Sequence, residues 1–161
     1  ADLMVQEYGK NFKLKTVSFR AGCLTGPMHS GAELHGFLSF LTKQINNKKK
    51  YNIFGYKGKQ VRDNLHSYDL VNAFWNFYKN PRIGEIYNIG GSRRSNCSIL
   101  EAIKIIENLT GKKADFKILR GNRVGDHKWW ITDIKKFKNH YPKWNIKYDI
   151  TKIIKDILSN Q

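Results

Sequence analysis

Hydrophobic residues along the chain recur at two spacings, one typical of helices and the other typical of strands. Apolar residues three and four positions apart predict helices, and short alternating or continuous apolar runs predict strands. The predicted helices cover residues 1–12, 33–46, 67–80, 98–111, 132–142 and 151–158, and the predicted strands cover residues 15–21, 51–56, 85–91 and 114–119. Because helices and strands alternate, we expect an α/β fold with at least part of a parallel sheet.

Local sequence signals indicate where two of these helices begin. Ser98 and Glu101 have the spacing of a capping box, which predicts a helix start. Ser67 is the predicted N-cap of the helix at residues 67–80, because a serine side chain can accept a hydrogen bond from a backbone N–H of the first turn. The glycine-bearing stretches at 22–31 and 58–66 are interpreted as loops that follow strands.

The charge of the chain is strongly positive and narrows the classes of partner. The 161 residues include 29 Lys and Arg against 13 Asp and Glu, a formal net charge of +16. Such a charge is compatible with nucleic acid, an anionic membrane surface or a polyanionic small substrate. It is equally compatible with lysines that are simply solvated. No apolar stretch approaches the roughly 18 residues of a spanning helix, and no signal peptide is visible.

The cysteines and histidines favour a reducing compartment and no metal site. Cys23 and Cys97 are far apart and lack metal-type spacing, so we expect free thiols and a cytoplasmic location. The five histidines form no recognisable ligand pair, so we expect no bound metal.

Two arginines and an aspartate have the chemistry of a diphosphate clamp. Arg62 and Arg123 each follow a predicted strand, and a guanidinium donates a rigid fork of hydrogen bonds to phosphate oxygens. Asp126 lies three residues after Arg123, where its carboxylate could accept hydrogen bonds from a ribose diol. The spacing alone leaves an alternative open, in which Arg62 forms a local ion pair with Asp63.

Four stretches of the chain resemble a known family. The sequences FRAGCLTGPMHSGAELHGF, IFGYKGKQVRDNLHSYDLVNAF, IYNIGGSRRSNCSILEAI and RVGDHKWWITDIKKF occur in the order found in extended short-chain dehydrogenase/reductases that act on nucleotide sugars. The resemblance covers nearly the whole chain, and it is nearest to the CDP-paratose 2-epimerase branch. The series GKQVRD, NIGG and RVGD is specific for the superfamily, whereas the cysteine-bearing loop is moderately specific for the branch.

This resemblance implies a partial Rossmann-like domain. Residues 1–31 would be the last part of the cofactor-binding fold, and residues 32–161 would be mostly the substrate-binding lobe with crossover strands. The family's glycine-rich GxxGxxG turn and its catalytic YxxxK pair are expected upstream of Ala1, so the chain itself would lack both motifs and would be inactive alone. The strand at 15–21 would then expose an unpaired edge, which favours a homo-oligomer.

The resemblance also implies a role for each candidate site residue. Arg62 and Arg123 would bind the substrate diphosphate, Asp126 would bind the ribose, Cys23 would lie near the sugar and Glu33 would border it. The residues implied to face the nucleotide base are Asn52, Ile53 and Phe54. The residues implied to contact NAD are Ala21, Gly22 and Leu24. Asp63 and His66 would brace the arginine, and no residue of this chain would be catalytic.

Three residues of the implied sugar pocket depart from the branch pattern, so the resemblance is compatible with more than one sugar. Gly22, Thr25 and His29 stand where other residues are common, and we interpret His29 as a loop histidine. Implied activities are therefore epimerisation at C2 of a CDP-sugar, or a 4-epimerase or 4,6-dehydratase reaction on a UDP-, GDP- or dTDP-sugar.

Two readings of another kind stay open beside the enzyme. The chain could be a basic nucleic-acid-binding module that stacks bases on Trp129, Trp130 and Trp144. It could also be a non-catalytic remnant kept for oligomer contacts.

Overall fold

Helices and strands alternate along the described residues, 1–33, 35–122 and 124–160, of this computed structural model. The helices are α1 (Asp2–Phe12), α2 (Phe37–Asn46), α3 (Ser67–Lys79), α4 (Ile99–Thr110), α5 (Lys135–His140) and α6 (Ile150–Leu158). The strands are β1 (Val17–Ala21), β2 (Cys23–Thr25), β3 (Tyr51–Phe54), β4 (Val61–His66), β5 (Glu85–Ile89), β6 (Asn96–Ser98), β7 (Phe116–Leu119) and β8 (Trp129–Trp130). The predicted α/β class is confirmed.

The strands form three small sheets that are mostly parallel. Strand β1 pairs with β5, and β3 pairs with β7, in both cases in parallel. Strand β4 is the centre of the third sheet, where β2 and β8 run parallel to it and β6 runs antiparallel. In this register Cys23 lies opposite Asn64, and Cys97 lies opposite Arg62.

Two sequence interpretations of this region are wrong. Residues 58–66 are not a loop, because Val61–His66 form β4. Residues 22–31 contain the short strand β2, and α2 begins at Phe37 after a glycine N-cap, four residues later than predicted. Strand β4 contains polar residues such as Arg62 and Asn64, whose side chains conceal the apolar alternation on which strand prediction depends, and β2 has only three residues, too few to show such a pattern.

Two hydrophobic clusters support the sheets. The first joins α2, α4 and α6 to β3, and Ile53 of β3 is completely buried in it. The second joins α3, β5 and α5, with Tyr87, Phe137 and Trp144 at its centre. The indole Nε1 of Trp144 donates to the carbonyl of Asp69 at 3.0 Å. Trp144 is therefore a core residue and is unavailable for stacking on a nucleic acid base.

Apolar side chains remain exposed on α1 and α3. On α1 these are Leu3, Met4, Tyr8 and Phe12, and on α3 they are Val71, Phe74, Trp75 and Tyr78. In the described part of the chain, β1 pairs with β5 alone, so its other edge has no strand beside it. None of the described helices combines the length and hydrophobicity that crossing a lipid bilayer requires.

The N-cap of α3 lies one residue earlier than predicted, and the helix anchors the C-terminal segment. Its N-cap is His66 rather than Ser67, since Nδ1 of the imidazole accepts from the backbone N–H of Tyr68 at 3.0 Å. Asp69 in its first turn is fully buried and accepts hydrogen bonds from the backbone N–H groups of Lys147 and Tyr148. The carboxylate thus connects α3 to Lys147 and Tyr148, which are nearly eighty positions further along the chain.

We expect Asp69→Ala to lower the free energy of unfolding by about 2–3 kcal/mol, because it leaves two backbone donors without their acceptor. Urea denaturation followed by circular dichroism measures this loss. The matched control is Asp115→Ala, which removes an exposed carboxylate and should change the free energy by less than about 0.5 kcal/mol. Equal effects of the two substitutions would contradict the anchoring role of Asp69.

Candidate functional site

An open cavity of about 770 Å³ lies beside β4. One wall is the stretch from Gly22 to the start of α2, and another is formed by β4 and the residue before it. Phe54 of β3 and Asp126 also contribute to the lining. The cavity has the size of a small-molecule site, and its lining mixes apolar side chains with a few charged groups.

One face of β4 points polar side chains into the cavity. Gln60, Arg62 and Asn64 all line it, as expected for alternate positions of an extended chain. Because each residue of a strand advances about 3.3 Å, this row spans roughly 13 Å. The intervening residues point the other way, and Leu65 belongs to the second hydrophobic cluster.

Arg62 at the centre of this row is paired with Asp126. Its Nη2 donates to Oδ1 of Asp126 at 2.5 Å, and its Nη1 donates to the carbonyl of Val61 at 2.8 Å. The side chain is only 14% exposed. The alternative of a local ion pair between Arg62 and Asp63 is therefore wrong, because the two side chains lie on opposite faces of β4 and Arg62 pairs with a residue 64 positions away.

Two loops bring Asp126 to Arg62. The turn after β3 places the phenol of Tyr56 so that it donates to the carbonyl of Asp126 at 3.1 Å. The backbone N–H of Tyr56 donates to Oδ1 of Asn122 at 3.0 Å. Gly55 has a φ of +70°, and a Cβ there would lie 2.4 Å from Asn122 Oδ1, so the close approach of the loops requires glycine.

Asp63 fixes the other face of β4. The carboxylate is fully buried, and its Oδ2 accepts from the backbone N–H groups of Ser92 at 2.7 Å and Thr132 at 3.1 Å. Gly90 packs directly against it, since a Cβ there would lie 2.5 Å from Asp63 Oδ2. These contacts tie the carboxyl end of β5 to β4, and hence to the strand that holds Arg62.

His66 lies at the end of β4 and outside the cavity lining. Its Nε2 lies 2.9 Å from Oδ2 of Asp156, and its ring stacks on Tyr148 with centroids 3.9 Å apart. Because Nδ1 accepts from Tyr68, the ring proton of the neutral form is on Nε2, which donates to Asp156. His66 thus connects α3 to α6.

The chain does contain one Tyr-x-x-x-Lys spacing, at Tyr148 and Lys152, contrary to expectation. Tyr148 is the residue stacked on His66, and Lys152 Nζ donates to the carbonyl of Lys147 at 3.3 Å. Neither side chain is among those that line the cavity. The spacing is therefore not a catalytic pair at this site.

Cys23 contributes a neutral group to the cavity wall. Burial raises the pKa of the Cys23 thiol, and the nearby negative charge of Asp63 raises it further. The thiol is consequently protonated near neutral pH and is a poor nucleophile. Gly22 and Leu24 also line the cavity, whereas Ala21 is exposed at the end of β1 and is not part of the lining.

Because side chains alternate along β3, the residues expected to face a base do not all face the cavity. Phe54 lines the cavity, but Ile53 points into the hydrophobic core, so its side chain cannot contact a base. Asn52 is outside the lining, and its Nδ2 donates to Oε1 of Glu33, which does line the cavity, at 3.0 Å. Arg123 lies outside the described residues.

Sequence reasoning missed Gln60 and Asn64 in the cavity. The signal was present, because both are two residues from Arg62 and share its side once β4 is recognised as a strand. His29 and His35 also line the cavity, with ring centroids 6.0 Å apart. Of the tryptophans considered for base stacking, Trp129 and Trp130 are exposed.

Comparison with known proteins agrees with this fold. The family model described as "NAD dependent epimerase/dehydratase family" matches residues 1–90. Over 146 residues the chain is 32% identical to CDP-paratose 2-epimerase of Salmonella typhi, covering 86% of this chain and 43% of that protein. The motif-based resemblance and the Rossmann-like class are thereby confirmed.

Two solved structures match nearly the whole chain. One is dTDP-glucose 4,6-dehydratase of Bacillus anthracis in complex with NAD, with a TM-score of 0.82, 25% identity, and coverage of 99% of this chain and 48% of that one. The other is UDP-glucuronic acid 4-epimerase of Bacillus cereus in complex with UDP-glucuronic acid and NAD, with a TM-score of 0.82, 26% identity, and coverage of 99% and 49%. The chain spans less than half the length of each of these three relatives.

We expect Cys23 to react with iodoacetamide more slowly than an ordinary exposed thiol, with a rate that rises only at higher pH. Alkylation requires the thiolate, and burial disfavours that form. Mass spectrometry measures the alkylation, and the Cys23→Ser protein shows how much of it occurs at Cys97. Burial raises the pKa of Cys97 to about 12, so this thiol should stay unmodified in the folded protein. Rapid alkylation of Cys23 at neutral pH would contradict the neutral cavity wall.

Proposed function

Because the chain belongs to the NAD dependent epimerase/dehydratase family, we propose that its cavity binds a nucleotide-diphosphate-sugar as part of an NAD-dependent epimerase. The favoured reaction is epimerisation at C2 of a CDP-sugar, by removal and return of a hydride at the ring carbon. The similarity to a CDP-paratose 2-epimerase supports this choice. A 4-epimerase or 4,6-dehydratase reaction is the second candidate, because both activities are named among the structural neighbours.

The observation that carries the proposal is the position of Arg62. A nearly buried guanidinium in the wall of a cavity is well suited to a diphosphate, since its planar fork donates two parallel hydrogen bonds to phosphate oxygens. The described contacts use Nη1 and Nη2 toward Val61 and Asp126. A bound diphosphate would therefore share the guanidinium with Asp126 or displace that carboxylate.

Asp126 suits the ribose next to the diphosphate. Its carboxylate is 19% exposed at the cavity wall and accepts hydrogen bonds only, so it can take both donors of a ribose diol. Once a phosphate engages Arg62, Asp126 needs new donors, and the ribose hydroxyls supply them. Arg123, three residues earlier in the sequence, would be the second diphosphate ligand.

The residues present fit one end of NAD. Leu24 of β2 lines the cavity, and Ala21 is exposed at the carboxyl end of β1; such small and apolar surfaces suit a flat nicotinamide ring. They offer no charged group for a pyrophosphate. Bound NAD would accept a hydride from the sugar and return it. This chain's own part would be to hold the substrate diphosphate at Arg62 and to orient the sugar beside Cys23.

We expect Arg62→Ala to weaken CDP binding about 10- to 100-fold, because it removes charged hydrogen bonds to the diphosphate. Isothermal titration calorimetry with CDP, UDP, GDP and dTDP measures this loss. The matched control is Arg93→Ala, an exposed arginine outside this cavity with the same change in net charge. Salt-dependent binding of a DNA duplex without binding of any nucleotide would contradict the proposal.

We expect Asp126→Asn to lower the ratio of CDP affinity to inorganic pyrophosphate affinity about 10-fold. The change frees Arg62 for either ligand, but only CDP loses a carboxylate partner for its ribose. The two dissociation constants are measured by competition calorimetry. Asp133→Asn, an exposed aspartate outside the cavity, serves as the control. An unchanged ratio would show that Asp126 does not contact the ribose.

A further inference from the structure

The turn that follows β3 has an unusual backbone. Positive φ angles of +70°, +46°, +52° and +75° occur in succession at Gly55, Tyr56, Lys57 and Gly58. Glycine adopts such angles readily, but a residue with a Cβ adopts them only where its surroundings enforce them. Tyr56 and Lys57 are two such residues in sequence, so the turn is strained and depends on contacts with other parts of the chain.

These contacts lead to the connection between β7 and β8. Tyr56 donates to it twice, through its backbone N–H to Oδ1 of Asn122 at 3.0 Å and through its hydroxyl to the carbonyl of Asp126 at 3.1 Å. The ammonium group of Lys128 lies 5.7 Å from the centre of the Tyr56 ring, within the range of a cation–π interaction. A single residue of the strained turn therefore contacts the connection at three of its positions.

Most of the described residues of this connection, 120–122 and 124–128, are exposed. The exposed positions include Gly121, Asn122, Val124 and Gly125. Asp126 is half-buried, and two contacts hold it at the cavity. Its carboxylate is paired with Arg62, and its backbone carbonyl accepts the hydrogen bond from the Tyr56 hydroxyl.

The two contacts of Asp126 respond differently to a ligand. If a diphosphate engages Arg62, as the proposed function requires, the carboxylate of Asp126 has to share or leave the guanidinium. The hydrogen bond from Tyr56 is made to the backbone carbonyl and leaves the carboxylate free. This bond can therefore persist while the carboxylate exchanges Arg62 for a ribose hydroxyl.

We infer that Tyr56 is a positioning residue, which holds the backbone of Asp126 at the cavity while the carboxylate changes partner. The inference rests on the proposed function, because it concerns the same ligand. The left-handed backbone of the turn already directs the N–H and the hydroxyl of Tyr56 toward the connection, so ligand binding requires no further ordering of the turn. Without the hydroxyl, Asp126 would lose its backbone contact at the moment when Arg62 releases its carboxylate.

The first test is Tyr56→Phe, which removes the hydroxyl and keeps the ring and the backbone N–H. We expect CDP affinity to fall about 5-fold, because one hydrogen bond that positions Asp126 is lost, and pyrophosphate affinity to change by less than about 2-fold, because pyrophosphate has no ribose. Competition calorimetry on the 161-residue chain measures both dissociation constants. Tyr78→Phe, which removes an exposed hydroxyl on α3 outside the cavity, is the matched control and should change neither.

A double-mutant cycle then assigns the effect to Asp126. In the Asp126→Asn protein, we expect Tyr56→Phe to lower the ratio of CDP affinity to pyrophosphate affinity by less than about 2-fold further, since residues that act through one another are not additive. Additive effects of the two substitutions would show that Tyr56 acts by another route and would overturn the inference. Equal weakening of CDP and pyrophosphate by Tyr56→Phe would indicate a general structural role and would also overturn it.

The outcomes separate this inference from the proposed function. A ratio that falls with Asp126→Asn but not with Tyr56→Phe would overturn the inference and leave the nucleotide site intact. Amide hydrogen exchange at residues 124–128 without ligand is a second measurement, and we expect faster exchange in Tyr56→Phe than in the wild type. Unchanged exchange would overturn the anchoring role of the hydroxyl. Absence of binding by every nucleotide would overturn the proposed function and the inference together.

Discussion

The alternation of side chains along β4 is the constraint on which the site depends. Arg62 and its polar neighbours face the cavity, whereas Asp63 and Leu65 face the interior. A shift of one residue in register would turn Arg62 into the core and expose Asp63 to the cavity. The hydrogen bonds that Asp63 accepts from Ser92 and Thr132, together with the packing of Leu65, oppose such a shift.

The balance of charge inside the cavity differs from that of the whole chain. The net charge of +16 attracts anions over long distances. Inside the cavity, the guanidinium of Arg62 is already neutralised by Asp126, and Cys23 is a protonated thiol. Binding of a diphosphate would therefore be an exchange of partners at Arg62. Such an exchange depends on the shape and hydrogen bonds of the ligand more than on its charge alone, which favours selectivity among anions.

At two places, the spacing of residues in the sequence suggests a pairing of side chains that the structure does not contain. Arg62 is adjacent to Asp63 in sequence but pairs with Asp126, because adjacent residues of a strand point to opposite faces. Tyr148 and Lys152 have the spacing of a catalytic pair, but the ring of Tyr148 stacks on His66. A motif carries chemistry only where its side chains share a cavity.

The α/β class, most helices and the family could be predicted from the sequence, because apolar periodicity, the capping box at Ser98 and the motif series are local properties of the chain. The strand that contains Arg62 was missed, since its polar side chains face a cavity and conceal the apolar alternation. The pairing of Asp126 with Arg62, and the position of Gln60 in the same cavity as Phe54, could be recognised only in the folded chain. These contacts depend on loop packing and strand register, which join residues that are distant in the chain.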